Sequence, residues 1–435
     1  MQWRAASLLA FGVLLSGAMS RPAIAQDQET PASPALRALV ESMDAGEPGV
    51  LDAFWRAVEQ AGTPLVEAYA HEDSSLVTFL YRGEPALQSV RVSSGLNALL
   101  IEGIEPDFDS MGRMRRLPGS DLWYLSLVVG RDLRVSYRME VAKATSDSAA
   151  AEVAEVLDPL NPHVFRPDRE ELRASLLELP GAPPQPWREH EEAGAWRQLK
   201  VPDVHGREND VFVYLPAGFD AQRAEPYPVL LGLDSYSFGI GMLGAQIMDH
   251  LIASGGIPPT VMVAANLPGG TGLEQMDVTA EYVANRLLPQ LRADFNVASD
   301  PRRVVISGTS RRGLIATYSA FMRPEAVGNV LSLSGSFYWK PDGETEYEWL
   351  THRLATEPMR PLRLFISAGN LETVATPRNL GHYMVATNRH LRDVLLARGY
   401  DLEYWEFSGD HSELSWQDAL ARGLAALLSE GSAAR

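Results

Sequence analysis

A serine between two nearby glycines is the most informative feature of this sequence. The segment Gly308-Thr309-Ser310-Arg311-Arg312-Gly313 follows the apolar run Arg303–Ser307 and precedes an alanine-containing helical pattern. A strand, a sharp turn and a helix in this order place the serine hydroxyl above the sheet. Small residues near the serine are needed because the strand and the helix approach each other closely there. The pattern predicts Ser310 as a nucleophile in a nucleophile elbow. The second glycine comes one place later than in the usual G-x-S-x-G, and an ordinary strand–helix turn is the alternative.

A serine hydroxyl is a weak nucleophile and needs a general base. His411, in the segment Gly409–Ser412, lies between the last predicted strand and the last predicted helix and is predicted as that base. Glu372 follows the strand predicted before Gly369 and is predicted as the carboxylate that orients the imidazole. The order serine, acid, histidine is that of α/β-hydrolases. A solvated loop carboxylate, or the start of the next helix, is the alternative for Glu372. Asp410 ranks below Glu372 as the acid because direct neighbours rarely align for this hydrogen bond.

Ester hydrolysis also needs hydrogen-bond donors for the oxyanion. The backbone N–H of Arg311, at the start of the helix after the nucleophile, is one predicted donor. The other is predicted to be the backbone N–H of Ser235 or Tyr236, in the loop after the strand predicted over residues 228–233. A plain strand–loop connection is the alternative for that loop.

Two groups of side chains bear on the substrate. Arg311 and Arg312 flank the nucleophile, and guanidinium groups there suit an anionic or strongly polar substrate; pairing of Arg312 with a surface carboxylate is the alternative. Phe337, Tyr338 and Trp339 follow the next predicted strand, at the sheet edge where open α/β sheets bind ligands. They are predicted to form a stacking wall for an aromatic ligand, or else to pack beneath a lid.

These candidate residues lie in a region of alternating predicted strands and helices, which follows the proline-rich linker at residues 180–186. This rhythm predicts an α/β fold, a mostly parallel sheet with helices on both faces. Before the linker, short strands separated by turn residues predict a small β-sandwich, preceded by one helical region over Ala35–Gln60. The predicted divisions are a signal peptide at 1–25, the sandwich domain at 26–185 and the catalytic domain at 186–435.

Composition narrows the classes of partner. The formal net charge of −18 over 435 residues argues against nucleic acid as a general partner. The chain has no cysteine, which excludes disulfides and a thiol nucleophile, and its histidines are scattered, so neither a metal site nor a cofactor is predicted. The expected partner is a small-molecule ester; the sequence leaves the oligomeric state open.

The first residues have the pattern of a cleavable signal. Arg4 precedes a short apolar core over Ala5–Met19, and Ala23-Ile24-Ala25 has the form of a cleavage site. The apolar run is shorter than the ~20 residues of a membrane span. We therefore expect a periplasmic or secreted protein, cleaved near Ala25 and without a membrane span after cleavage.

Several motifs together resemble the enterochelin esterase family, which hydrolyses the ester bonds of catecholate trilactone siderophores. The resemblance covers nearly the whole chain after the signal segment. It rests on the following segments: Phe54-Trp55, Gly62–Glu67, Val77–Arg82, Leu122–Tyr124, Asp158–Pro162, Ser175–Pro180, the Ser310 elbow, Leu331–Trp339 and Gly409–His411 followed by Trp416.

The resemblance implies an immunoglobulin-like sandwich that helps wall the substrate pocket, with Ser310 as nucleophile, His411 as base and Glu372 as acid. Iron would belong to the substrate. Two departures bear on specificity: Arg312 stands where the family has glycine, and Gly272-Leu273-Glu274 lacks an expected arginine. A feruloyl or acetyl esterase acting on polysaccharide, and a non-catalytic ligand-binding protein, are the alternatives.

Overall fold

The computed structural model describes residues 31–100, 110–145, 148–166, 168–266, 272–373 and 383–429. The predicted signal segment lies outside these residues. So do the first residues of the helix predicted over Thr376–Ala397. Within the described residues, no helix is both long enough and apolar enough to cross a membrane.

Two short helices open the described chain, α1 (Pro34–Asp44) and α2 (Val50–Ala61). The helical region predicted over Ala35–Gln60 therefore contains two helices with a break between them. Gly46 and Gly49 both adopt positive φ, at 74° and 72°, and this left-handed backbone breaks the helix. Both helices pack their apolar faces on the strand that contains Leu80.

Two antiparallel sheets follow and share one apolar core, so they form a β-sandwich. One sheet has the strand order β1-β2-β5-β4; the other has β3-β6-β9-β8, with β7 also paired to β6. Their strands are β1 (Leu65–Ala68), β2 (Ser74–Arg82), β3 (Leu87–Ser93), β4 (Arg115–Arg116), β5 (Leu122–Gly130), β6 (Arg134–Thr145), β7 (Ser148–Val156), β8 (Val164–Phe165) and β9 (Ala174–Glu178). We call β1–β9 the N-terminal sandwich.

The rest of the described chain forms a mixed sheet with the order β10-β11-β13-β12-β14-β15-β16-β17. Its strands are β10 (Ala195–Pro202), β11 (Glu208–Leu215), β12 (Val229–Gly232), β13 (Val261–Ala265), β14 (Val304–Thr309), β15 (Asn329–Leu333), β16 (Arg363–Gly369) and β17 (Asp401–Phe407). The pairs from β13 to β17 are parallel, while β10 and β11 add an antiparallel edge. This is the predicted α/β-hydrolase fold class.

Helices cover both faces of this sheet. Val304 and Ile306 belong to one apolar core and Val305 to the other, since successive side chains of a strand point to opposite faces. The helices are α3 (Gly244–Ala253), α4 (Leu273–Tyr282), α5 (Leu288–Phe295), α6 (Ser310–Met322), α7 (Trp349–Thr356), α8 (Met384–Arg398) and α9 (Glu413–Leu428). Helices α3 and α9 pack in the core that contains Val305, and α4–α8 pack in the core that contains Val304 and Ile306.

The strand order decides where the functional loops meet. Strands β14, β15, β16 and β17 are neighbours and run parallel. The loops that follow their carboxyl ends therefore share one edge of the sheet. Those loops contain Ser310, the segment 334–339, Glu372 and His411.

Candidate active site

Ser310 is the first residue of α6 and has φ of 51°, the strained conformation expected of a nucleophile elbow. A Cβ at Gly308 would lie 2.4 Å from the backbone of Arg312, and a Cβ at Gly313 would lie 2.7 Å from Ser332 Oγ. Both positions thus need glycine. In this helix, Gly313 is the residue that lies close to Ser332 of the neighbouring strand β15. Position 312 does not make this contact and holds an arginine whose side chain is 45% exposed.

Glu372 and His411 are brought together by the loops after β16 and β17. Glu372 Oε2 lies 2.9 Å from His411 Nδ1, and the glutamate side chain is only 3% exposed. Its other oxygen, Oε1, accepts from the Gly369 N–H at 2.8 Å and from the Ser334 hydroxyl at 2.6 Å. The carboxylate is therefore held on both oxygens, in an orientation that presents one of them to the imidazole.

Ser334 and Trp416 form a supporting network that the sequence analysis missed. The Trp416 Nε1–H donates to Ser334 Oγ at 2.9 Å, and the Trp416 ring meets the His411 ring nearly perpendicularly, with 4.8 Å between centroids. Ser334 has φ of 50°, an unusual conformation for a non-glycine residue. The cluster of serines after β15 and the tryptophan after His411 were the available signals, but neither reveals a contact between distant segments.

Several groups set the pKa of His411. Its side chain is 38% exposed, and partial burial would lower the pKa. The hydrogen bond and charge of Glu372, with weaker contributions from Asp410 and Glu413, outweigh burial, and the net pKa is raised above the usual value. An imidazole with a carboxylate on Nδ1 is suited to accept a proton at Nε2.

Asp410 is buried and has a different set of partners. It accepts from Ser412 Oγ at 2.6 Å and from Ser415 Oγ at 3.0 Å, and burial raises its pKa. These bonds shape the turn that presents His411. Asp410 therefore belongs to the loop structure, whereas Glu372 contacts the imidazole.

The Ser310 hydroxyl lies 3.3 Å from Ser336 Oγ, and the Ser336 N–H donates to the Ser310 carbonyl at 3.0 Å. Within the described residues the hydroxyl is bonded to Ser336 and not to His411. Nucleophile–base hydrogen bonds are commonly long without substrate and tighten when it binds. The nucleophile, base and acid thus lie at the same edge of the sheet, and the contact between Ser310 and His411 can form when substrate binds.

The loop after β12 holds the other predicted oxyanion donors. The Tyr236 N–H donates to Asp234 Oδ1 at 2.9 Å, while the Ser235 N–H makes a long 3.4 Å contact with Asn266 Oδ1. Asp234 Oδ2 pairs with Arg312 at 3.0 Å. The N–H of Ser235 is thus the less engaged of the two, and the oxyanion role of this loop and of the Arg311 N–H stays a prediction.

The predicted substrate-binding side chains divide into two groups. The Arg311 guanidinium stacks over Trp339 at 3.9 Å from the ring centroid, and burial lowers its pKa to about 10. Tyr338 and Trp339 are half-buried. Phe337 is fully buried in the core, so its assignment to a stacking wall is corrected: it is a packing residue.

Comparison with known proteins agrees with this fold. A protein-family model described as "Putative esterase" matches residues 203–427, and a second family model, described as "Enterochelin esterase, N-terminal", matches residues 76–188. The chain belongs to this esterase family, which confirms the resemblance to enterochelin esterases predicted from the sequence. The protein is a hydrolase that acts on esters.

Similar proteins match over most of the chain. An iron(III) enterobactin esterase of Dickeya dadantii is 27% identical, over 90% of this chain and 95% of its own length. An iron(III) salmochelin esterase of Escherichia coli is 26% identical, over 90% of this chain and 97% of its own. The crystal structure of ferric enterobactin esterase from Salmonella typhimurium covers 86% of this chain and 98% of its own, with a TM-score of 0.66 and 23% identity. This likeness confirms the fold class.

Proposed function

We propose that this protein is an exported serine esterase that hydrolyses the ester bonds of a catecholate siderophore, an enterobactin-like trilactone, through an acyl-enzyme. The observation that carries the mechanism is the 2.9 Å contact between Glu372 and His411, at the sheet edge where Ser310 stands in a strained elbow. The substrate class is supported by the relatives, an enterobactin esterase and a salmochelin esterase, and by the enterochelin esterase N-terminal match.

The proposed reaction follows from these positions. Ser310 Oγ attacks the ester carbonyl while His411 Nε2 takes its proton, and Glu372 stabilises the imidazolium. The C–O bond to the leaving alkoxide breaks as His411 returns the proton to it, leaving the acyl group on Ser310. Water, deprotonated by His411, then attacks the acyl carbon. The bond from that carbon to Ser310 Oγ breaks as His411 returns the proton to Oγ, which releases the carboxylic acid and free Ser310.

The surroundings of the nucleophile suit an aromatic, electron-rich substrate. Arg311 stands next to Ser310 with its guanidinium over Trp339, and both groups can face a catecholate by charge and by stacking. Iron enters this scheme only as part of the substrate.

Product analysis tests the proposal. The purified protein and its Ser310→Ala variant are incubated with ferric and with iron-free enterobactin, and the products are identified by mass spectrometry. Catechol-serine fragments from the intact protein alone are expected. Absence of fragments from both siderophore forms, with retained hydrolysis of simple esters, would refute the substrate class and leave the esterase assignment in place.

Export is tested separately. The full-length chain, expressed in a Gram-negative host, is expected in the periplasm or medium with a mature N-terminus near Gln26, read by N-terminal sequencing. Full-length protein retained in the cytoplasm would refute export.

A further inference from the structure

The loop that contains Glu372 is anchored outside the hydrolase sheet. Leu371, adjacent to Glu372, is 8% exposed and belongs to the apolar cluster shared by the two sheets of the N-terminal sandwich. That cluster also contains Val135 of β6 and Leu127 of β5. The Leu371 side chain thus packs in the apolar core of the N-terminal sandwich and not in the two cores that flank the hydrolase sheet.

The same loop is tied to the loop that contains His411. The Leu371 N–H donates to the Gly409 carbonyl at 3.1 Å, and the Asn370 N–H donates to the Phe407 carbonyl at 2.8 Å. The Gly409 N–H in turn donates to Asn370 Oδ1 at 3.3 Å. An anchor at Leu371 therefore restrains the backbone that precedes His411 as well as Glu372.

The sandwich touches the histidine loop directly. A Cβ at Gly95, just after β3, would lie 2.2 Å from Asp410 Cβ, so the two segments are in close contact. Leu414, just past His411, is fully buried against Phe165 and Leu176 of the sandwich.

The N-terminal sandwich also contacts the loop after β12. The Arg166 guanidinium donates to the Ile240 carbonyl, in the helical turn that follows Ser235 and Tyr236. Three loops that carry the site are thus each contacted by the sandwich.

We propose that Leu371 is a positioning residue, through which the N-terminal sandwich holds Glu372 and the histidine loop in their active arrangement. The inference rests on the Ser310–His411–Glu372 triad of the proposed function. It assigns the sandwich a part in catalysis itself, in addition to any contact with substrate.

A small ester separates the two roles. An acyl group such as that of 4-nitrophenyl butyrate is too small to need a wall built by a second domain. If the sandwich only walled the pocket, loosening its grip would leave hydrolysis of this ester unchanged. If it positions the triad, kcat falls for the small ester too, since misplacement by about 1 Å can cost roughly 100-fold.

The experiment compares Leu371→Ala with Leu127→Ala, a matched truncation in the same apolar cluster on the opposite sheet from β6 and β9. Leu371→Met keeps the volume and is the conservative rescue. All variants are assayed with 4-nitrophenyl butyrate at a temperature where circular dichroism shows them folded, and Leu371→Val replaces the alanine variant if that one does not fold.

For Leu371→Ala we expect kcat to fall about 10- to 100-fold with KM within about 2-fold, and Leu127→Ala and Leu371→Met to stay within about 3-fold of the parent. The acid limb of kcat/KM should also move to lower pH. Glu372, Asp410 and Glu413 are the charged groups that act on His411, and a displaced Glu372 no longer raises its pKa.

The outcomes are distinguishable. Equal losses in Leu371→Ala and Leu127→Ala, or a loss with an unmoved acid limb, would overturn the positioning role and leave only a general loss of stability. Parent activity in Leu371→Ala, where Ser310→Ala is inactive, would also overturn it while leaving the triad intact. Full activity of Ser310→Ala would instead refute the triad.

Discussion

Glu372→Gln is the substitution that tests the candidate acid most sharply. The change keeps the shape and replaces one carboxylate oxygen with an NH2 group. Oε1 accepts from the Gly369 N–H, which has no other orientation available, and from the Ser334 hydroxyl. An amide NH2 placed there would face a fixed donor and leave buried groups unsatisfied, at about 1–3 kcal/mol. The glutamine oxygen must therefore keep this place, and its NH2 must face His411.

This orientation dictates the tautomer of the imidazole. With an NH2 donor opposite Nδ1, that nitrogen must accept, so the ring proton moves to Nε2. An Nε2–H cannot take the proton of Ser310, and the imidazolium also loses its counter-charge. In serine proteases the corresponding acid-to-amide change lowers kcat by about 10⁴, or about 5 kcal/mol of transition-state stabilisation. We expect a loss of similar size here, because Glu372 also contacts the Nδ1 of the imidazole, at 2.9 Å.

The assay is steady-state hydrolysis of 4-nitrophenyl butyrate between pH 5 and 9. We expect kcat to fall by about 10³- to 10⁴-fold, KM to stay within about 2-fold and the unfolding temperature to change little. Residual activity should have its acid limb at lower pH. Removal of Glu372 leaves burial, which lowers the pKa of His411, opposed only by more distant carboxylates.

Asp410→Asn is the matched control, since this carboxylate bonds Ser412 and Ser415 instead of the imidazole. We expect it to keep kcat within about 10-fold of the parent. If Glu372→Gln stayed within 10-fold of the parent and kept the same acid limb, the reasoning would be refuted. A 10³-fold loss in Asp410→Asn alone would transfer the role of acid to Asp410.

Three further predictions concern an ion pair beside the nucleophile, a close contact between the sandwich and the histidine loop, and a largely buried carboxylate on α9. Arg312→Met removes the 3.0 Å pair with Asp234 and should lower the free energy of unfolding by at most about 1 kcal/mol in urea, because a partly exposed ion pair contributes about that much to stability. A rise in KM in the ester assay with unchanged stability would favour substrate contact instead. Gly95→Ala should lower the free energy of unfolding by about 1–3 kcal/mol in urea, because the new Cβ would meet Asp410, and an unchanged midpoint would contradict this close contact. Burial raises the pKa of Asp418 to about 6, so the folded state binds a proton more tightly than the unfolded state, and the stability contributed by this group falls as pH rises from about 4 to 6. In Asp418→Asn the free energy of unfolding should fall by up to about 3 kcal/mol less between pH 4 and pH 7 than in the parent, as measured by urea unfolding at both pH values.

Local pattern was sufficient for most of the hydrolase sheet. The strands predicted at residues 228–233, 303–307 and 362–367 correspond to β12, β14 and β16, because fully buried parallel strands are short apolar runs bounded by turn residues. The antiparallel edge strand β10 was not predicted, since most of its residues are exposed and lack that signature. The helices α3 and α7 were missed as well.

Two differences between sequence and structure have different causes. The predicted N-terminal helical region contains two helices, because both glycines between them adopt positive φ, which is a local backbone effect. Phe337 reads as part of an exposed aromatic run, yet it folds back beneath Gly335 into the core. A sequence pattern does not distinguish an aromatic that faces a ligand from one that faces a helix, since both are apolar and follow a strand.

The candidate chemistry could be inferred from local sequence: a serine in a strand–turn–helix, a histidine before the last helix and a carboxylate between the two, because each is recognised from its immediate neighbours. The groups that support these residues became apparent from the folded chain. Ser334 bonds Glu372, Asp234 pairs with Arg312, and Leu371 inserts into the sandwich. These contacts join segments far apart in the chain, and their geometry follows from strand order and domain packing, which no local pattern records.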